Sequence, residues 1–285
     1  MIRFGPSGNS TSFYADGYKK TEQAMKWLSE KGLNAYEFSF GRGINISDET
    51  ASVIAREAQK YNIEISVHAP YYINFANIDD IMAEKSYSYC INSCLKLKSF
   101  CGSRVVIHPA TVGKATRTEA FDLTLKRFHI LVEKIYEQQL NEYYFCPETM
   151  GKINQIGTLE EVSEICKIDK CLIPTIDFGH LNARTMGGIK TIDDYRKIID
   201  YLIDNIGYDK TAKMHIHFSK IEYTKGGEVR HLTFDDTTYG PEFAPLSEII
   251  AEYKLQPVII CESDGTQAED SVSMLNLYNN IKEGE

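Results

Sequence analysis

Short apolar runs rich in β-branched and aromatic residues alternate along the chain with longer segments whose apolar positions recur at helical spacing. The runs predict strands over Arg3–Pro6, Ala35–Phe40, Glu64–His68, Arg104–His108, Tyr143–Glu148, Leu172–Asp177, Lys213–His217 and Pro257–Glu262. Between them the text turns helical. TEQAMKWLSEKG places Ala24, Trp27 and Leu28 on one face and stops at Gly32. DETASVIAREAQKYN opens on acidic residues that suit a helix N-terminus. Arg117–Leu140 carries Phe121, Leu125, Phe128 and Val132 at helical spacing. TLEEVSEICKI begins with a Thr-x-x-Glu capping box, and TIDDYRKIIDYLIDNIG and AEDSVSMLNLYNNIK close the series. Eight strand–helix units predict an α/β chain folded as a single-domain (β/α)8 TIM barrel over residues 1–285. The competing doubly wound sheet wants GxGxxG after its first strand, where this chain has GPSGNSTS. GPSGNSTS, FGRGIN, TMGGIK and YTKGGEVRH read as loops on the strand-exit side.

Composition narrows the class. Of 285 residues 43% are hydrophobic and 25% charged, which excludes a disordered chain. No apolar stretch of about 18 residues predicts a membrane span. The start MIRFGPSGNS lacks the basic and apolar runs of a signal peptide. The seven cysteines are scattered without a CxxC pair. Together these predict a cytoplasmic protein with no membrane partner; a monomer is expected. The net charge of -9 disfavours a broad nucleic-acid-coating surface but leaves room for a local basic cleft.

The histidines carry the chemistry. His129 lies inside a predicted helix, where packing explains it. His68, His108, His180, His215, His217 and His231 lie at or beyond strand C-terminal ends, the face on which barrel active sites are built. Glu148, Asp177 and Glu262 join them, each after an apolar run. A strand-end Asp also caps the helix that follows it. Still, a buried carboxylate needs a cation, and few Lys or Arg are near in sequence, so a metal is the economical partner. Asp177 and His180 stand three apart across a turn, and His215 and His217 share one face of a strand. Imidazole with carboxylate suits Zn, Mn or Fe rather than Mg or Ca. Cys146 and Cys261 read as small apolar strand residues, and neither GxSxG nor a P-loop occurs.

The segments SVHAPYYIN, VIHPA, PETMGK, TIDFGHLNA, MHIHFSK, VRH and ESDG resemble, as a set, the endonuclease IV family of apurinic/apyrimidinic endonucleases (family 2), within the xylose-isomerase-like barrels. The resemblance implies zinc-dependent phosphodiester hydrolysis 5′ to abasic sites in DNA, as in base excision repair. Two or three Zn ions are implied, with Mn able to substitute. His68 and His108 would hold the first metal and Glu148 would bridge the first and second. Asp177, His215 and Glu262 would complete the second, and His180 and His231 would hold the third. A metal-bridging hydroxide would attack, held and oriented by Glu148 and Glu262. Tyr71 and Tyr72 would wedge into the duplex, and Arg42 and Lys220 would contact phosphates. The match breaks at Glu228-Val229-Arg230-His231, where the family has Asp-Arg-His. Val229 cannot ligate a metal. Either Glu228 turns in, or His217, which replaces a family Asn, substitutes, or the third site is weak or absent. FGRGINIS is shorter than the family's DNA-contacting loop, and SDGTQ also departs from its pattern.

The alternative is a divalent-metal-dependent sugar isomerase or epimerase on the same barrel, using Glu148, Asp177, His215 and Glu262 around one metal. His68, His108, His180 and His231 are the surplus that favours the nuclease. A non-catalytic binding barrel would not need eight ligand positions.

Overall fold

All eight apolar runs form strands, because each has just enough β-favouring residues to cross the barrel wall and ends in a polar turn. The computed structural model describes residues 1–284. Its barrel strands are β1 (Arg3–Pro6), β2 (Ala35–Ser39), β3 (Glu64–His68), β4 (Arg104–Ile107), β5 (Tyr144–Pro147), β6 (Thr175–Asp177), β7 (His215–Phe218) and β8 (Val258–Cys261). β6 is half its expected length, since Pro174 has no N–H to donate and leaves Leu172 a single bridge to Phe145. β7 starts two residues late, because Lys213 still closes a helical turn onto Lys210.

Pairing is parallel throughout, yet unevenly distributed. Two continuous four-stranded ladders run in the orders β1-β8-β7-β6 and β2-β3-β4-β5. They are joined along two seams by isolated bridges only, Ser7↔Glu37 on one side and Phe145↔Leu172 and Glu148↔Thr175 on the other. The first seam is tight: a Cβ at Gly5 would lie 1.8 Å from the Ala35 carbonyl oxygen, so only glycine fits.

Outward strand residues such as Phe4, Val67, Val105, Phe145, Ile216 and Ile259 pack with the surrounding helices into one large core. Thr116 with Glu119, and Thr158 with Glu161, close the capping boxes of helices Arg117–Glu137 and Leu159–Cys166. Helices Ala24–Glu30, Asp48–Lys60, Asp80–Ser99, Ile192–Ile206, Phe243–Glu252 and Gln267–Gly284 complete the ring. Inward residues form layers. At the bottom Arg3 and Arg104 pair with Glu64. Above lie two small apolar clusters, Ala35 with Val258 and Ile260, and Val106 with Cys146 and Ile173. Imidazoles and carboxylates fill the top. Among the described residues, no helix is long and apolar enough to cross a membrane.

YTKGGEVRH is not a loose loop. It belongs to an antiparallel hairpin, Lys220–Thr224 with Gly227–Leu232, whose register shifts opposite Glu222 and Tyr223. The shift leaves Val229 as the extra, unpaired residue of a β-bulge, 47% exposed. The hairpin leans over the barrel mouth and docks on the loop after β5, with the Glu228 N–H donating to the Gly151 carbonyl at 3.2 Å.

Candidate metal centre

Strand parity turns His68, Glu148, Asp177 and His217 inward, and His108 and Glu262 follow one residue after β4 and β8. Glu148 is the hub. Its Oε2 lies 3.2 Å from His68 Nε2 and 3.1 Å from His108 Nε2. Its Oε1 lies 3.0 Å from His217 Nδ1 and 3.5 Å from His180 Nδ1. Three groups share the mouth: His68, His108 and Glu148; Glu148, Asp177, His217 and Glu262; and His180, Glu228 and His231. Within each, one ligand atom per residue lies within 4.8 Å of the others.

Backbone and hydroxyl partners aim the imidazoles. His68 Nδ1 faces the Ala69 carbonyl at 2.8 Å and His180 Nδ1 faces the Thr149 carbonyl at 2.9 Å. With the proton on Nδ1, Nε2 is left to ligate. His231 Nδ1 pairs with Ser219 Oγ at 2.8 Å. Asp177 does two jobs: its carboxylate caps the next helix by accepting from the His180 N–H at 2.7 Å, while its buried Oδ2 has no hydrogen-bond partner. That oxygen lies 3.3 Å from His180 Nδ1 without a hydrogen bond, and with Asp177 grouped beside Glu148, His217 and Glu262 it fits a cation. The donor set of imidazoles and carboxylates fits Zn or another transition ion.

Electrostatics agree. Burial alone would raise the Glu148 carboxyl, but His217, His108 and His180 hold it well below the usual carboxylate range. Burial pushes the Asp177 carboxyl up, against the pull of His180. Burial would lower His68, yet Glu148 lifts it to about 9. Against the same burial, Glu262, Glu37 and Glu148 lift His217, and Asp177, Glu148 and Glu228 lift His180, both well above the ordinary value. Burial prevails at His108, which stays below it. Thus at pH 7.5 the metal-free centre carries protons on imidazoles that a metal needs neutral. Loading with Zn should release on the order of one to three protons per protein, and affinity should rise with pH until these groups have deprotonated. An indicator dye in weak buffer reads the release directly.

The structure places two expected site residues elsewhere. His215 was expected beside Asp177 and Glu262, but β7 pairs Asp177 and Ile260 with His217, not with His215. His215 therefore sits one layer deeper, its Nε2 3.0 Å from Glu37, and His217 takes the upper place. Lys220 was expected at DNA phosphates, but it is 5% exposed, bonded to the Asp236 carbonyl and paired with Glu242, both at 2.7 Å. At Val229 the bulge turns that residue out of the pairing, and the Glu228 carboxylate lies within 3.3 Å of His180 Nε2. Gly151 makes room, since a Cβ there would lie 2.6 Å from Glu228 Cβ and 2.9 Å from His180 Cδ2.

Tyr71 and Tyr72 are each 49% exposed on the rim, their ring centroids 4.4 Å apart. Tyr71 donates its N–H to the Gly41 carbonyl at 3.4 Å, which sets the pair beside the exposed Arg42. The centre opens into a cavity of about 240 Å³ that includes Tyr71 and one cation, Lys152. A larger cavity of about 670 Å³ lies at the opposite end of the barrel, among Lys170, Lys210 and Lys213, and contains none of these groups. Sequence reasoning missed Lys152 and Glu37. The signal for Glu37 was a lone carboxylate at an inward position of the apolar run AYEFS.

A family model described as the xylose isomerase-like TIM barrel matches residues 25–278. The chain belongs to that family. Among similar proteins, an uncharacterized protein of Methanocaldococcus jannaschii is 28% identical over 281 residues, covering 99% of this chain and 98% of that one. An apurinic-apyrimidinic endonuclease 1 of Schizosaccharomyces pombe is 23% identical over 77% of this chain, which spans 59% of that longer protein. A solved D-tagatose 3-epimerase-like protein aligns with a TM-score of 0.74 over 99% of both chains at 19% identity. The xylose isomerase-like barrel is thus shared by relatives of different named activities, and the clusters at its mouth can hold divalent metal.

Proposed function

We propose that this barrel is a divalent-metal-dependent phosphodiesterase that cuts DNA on the 5′ side of abasic sites, with Zn as the expected ion and Mn as a working substitute. The observation that carries the proposal is the third group, His180, Glu228 and His231, beside two groups already joined through Glu148. A one-metal isomerase has no use for it. The similarity to the endonuclease of Schizosaccharomyces pombe supports the same reading. Clustered divalent ions supply an acidified water and neutralise charge on attacking and departing oxygens. The chain's own part is to hold and orient. Glu148 links two groups, Glu262 and Asp177 close the second, and the hairpin delivers Glu228 and His231 from above. Lys152 lines the cavity, and the exposed Arg42 follows Gly41 of its lining, where phosphates would approach.

The test is incision of a duplex carrying one stable abasic analogue, by protein stripped and then reloaded with Zn or Mn. Metal-dependent cutting on the 5′ side supports the proposal; no cutting by folded, metal-loaded protein overturns it. Tyr72→Ala should weaken binding of that duplex about tenfold, the value of roughly one stacked base, and leave metal content unchanged.

A second reading, epimerisation of a small sugar around Glu148, Asp177, His217 and Glu262, draws on the shortage of free cations. Lys220 is buried in an ion pair, and Arg184 is bonded to the carbonyls of Met150, Lys152, Ile153 and Gln155. A cavity of about 240 Å³ also suits a monosaccharide. Ketose epimerisation by Zn- or Mn-loaded protein that does not cut DNA would select this reading.

A further inference from the structure

The geometry points to Glu37 as a positioning residue that fixes the tautomer and orientation of His217, so that Nδ1 faces the metal site and Nε2 carries the proton. This rests on the metal-centre reading above and adds to it a residue outside the three groups at the mouth. Glu37 lies on β2, across the barrel interior from β7, and is fully buried with both histidines of β7. The His217 ring is clamped between carboxylates on opposite edges. Its Nε2 is 2.9 Å from Glu37 Oε1, while its Nδ1 is 3.0 Å from Glu148 Oε1 and 3.5 Å from Glu262 Oε2. The other Glu37 oxygen receives the Ser66 hydroxyl at 2.8 Å and lies 3.0 Å from His215 Nε2.

Two arguments give this arrangement a direction. A carboxylate with no exposure to water must be met by protons; the Ser66 hydroxyl donates to it, and the two Nε2 atoms stand at ion-pair distance, outside hydrogen-bond geometry in the metal-free structure. A proton on His217 Nε2 leaves the Nδ1 lone pair aimed at the group of Glu148, Asp177 and Glu262, the carboxylate–histidine–metal order. On the Nδ1 side a bound ion would offset the charge of Glu148, 3.0 Å away, whereas the reverse assignment would leave Glu37 facing the lone pair of His217 with nothing to offset it. His215 is then the second brace of Glu37, which accounts for a histidine one layer below the site.

The first experiment is metal titration of Glu37→Gln against a chromophoric chelator. The amide keeps the volume of the side chain but is a weaker acceptor and must turn its NH2 toward one imidazole. One ion should bind about 10- to 100-fold more weakly, with the ion at His180, Glu228 and His231 unaffected, and the Co(II) absorption of the weakened site should change. The second uses the wild-type protein, so that it stands even if the variant does not fold. Long-range 1H–15N spectra, recorded at a pH high enough for the metal-free ring to be neutral, should show His217 protonated on Nε2, with its Nδ1 resonance moving when Zn is added. A folded Glu37→Gln protein that binds every ion as tightly as wild type, or a His217 that carries its proton on Nδ1, overturns the assignment. Wild-type protein that binds no ion overturns the metal centre instead, while the metal-free spectrum still reads the tautomer.

Discussion

Glu148→Gln should empty two of the three groups of metal and lower turnover by about a thousandfold, the equivalent of several kcal/mol of lost charge stabilisation. Glu148 is the carboxylate common to the first and second groups, and its two oxygens stand within 3.5 Å of nitrogens on His68, His108, His180 and His217. Glutamine keeps the shape but removes the charge and turns an NH2 toward imidazoles. Metal-free protein should suffer as well. Glu148 is ionised there, and histidines gathered around it lose their counter-charge, at a cost of about 3–5 kcal/mol for a broken buried pair. Metal content by atomic emission and melting temperature with and without Zn separate the two effects. Unchanged metal content in the variant would remove Glu148 from its bridging place.

The second large effect is expected at the hairpin. Glu228→Ala should release one ion, leave the pair at Glu148 bound, and reduce incision at an abasic site by about 100-fold. Gly151→Ala should act the same way from the opposite side, because its methyl group would intrude 2.6 Å from Glu228 Cβ. Deleting Val229 should restore a regular hairpin register and carry Glu228 away from His180, mimicking the alanine variant without touching a ligand. These changes lie outside the four-residue group, so an epimerase would tolerate them. Retained incision by Glu228→Ala protein that holds two ions would strip the third group of its role.

Eight strands and a mouth full of imidazoles were legible because apolar runs and their polar ends are local signals. What failed was anything set by another strand. His215 and His217 have the same parity, and only the pairing of β7 with β6 and β8 says which one is level with Asp177. A bulge leaves no mark in the text Glu228-Val229-Arg230-His231; it exists because Tyr223 pairs with Glu228 while Glu222 pairs with Arg230. Lys220 read as a free cation because its partner Glu242 lies on a later segment. Glu37 was passed over because its histidines come from the far side of the barrel.

The two seams of the barrel give the metal centre a mechanical meaning. Glu148 belongs to the ladder of β2 to β5, whereas Asp177, His217 and Glu262 belong to the ladder that ends in β6. Backbone bonding between the two halves at β5 and β6 is confined to isolated bridges, one of them at Glu148 itself. An ion held by all four side chains would therefore be a rivet across one of the two open lines of the wall. Apoprotein should breathe along that line, its seam amides exchanging with solvent sooner than those inside either ladder, and the loaded protein should lock it. A centre placed to do chemistry would thus also decide whether the barrel behaves as two hinged shells or as one closed cylinder.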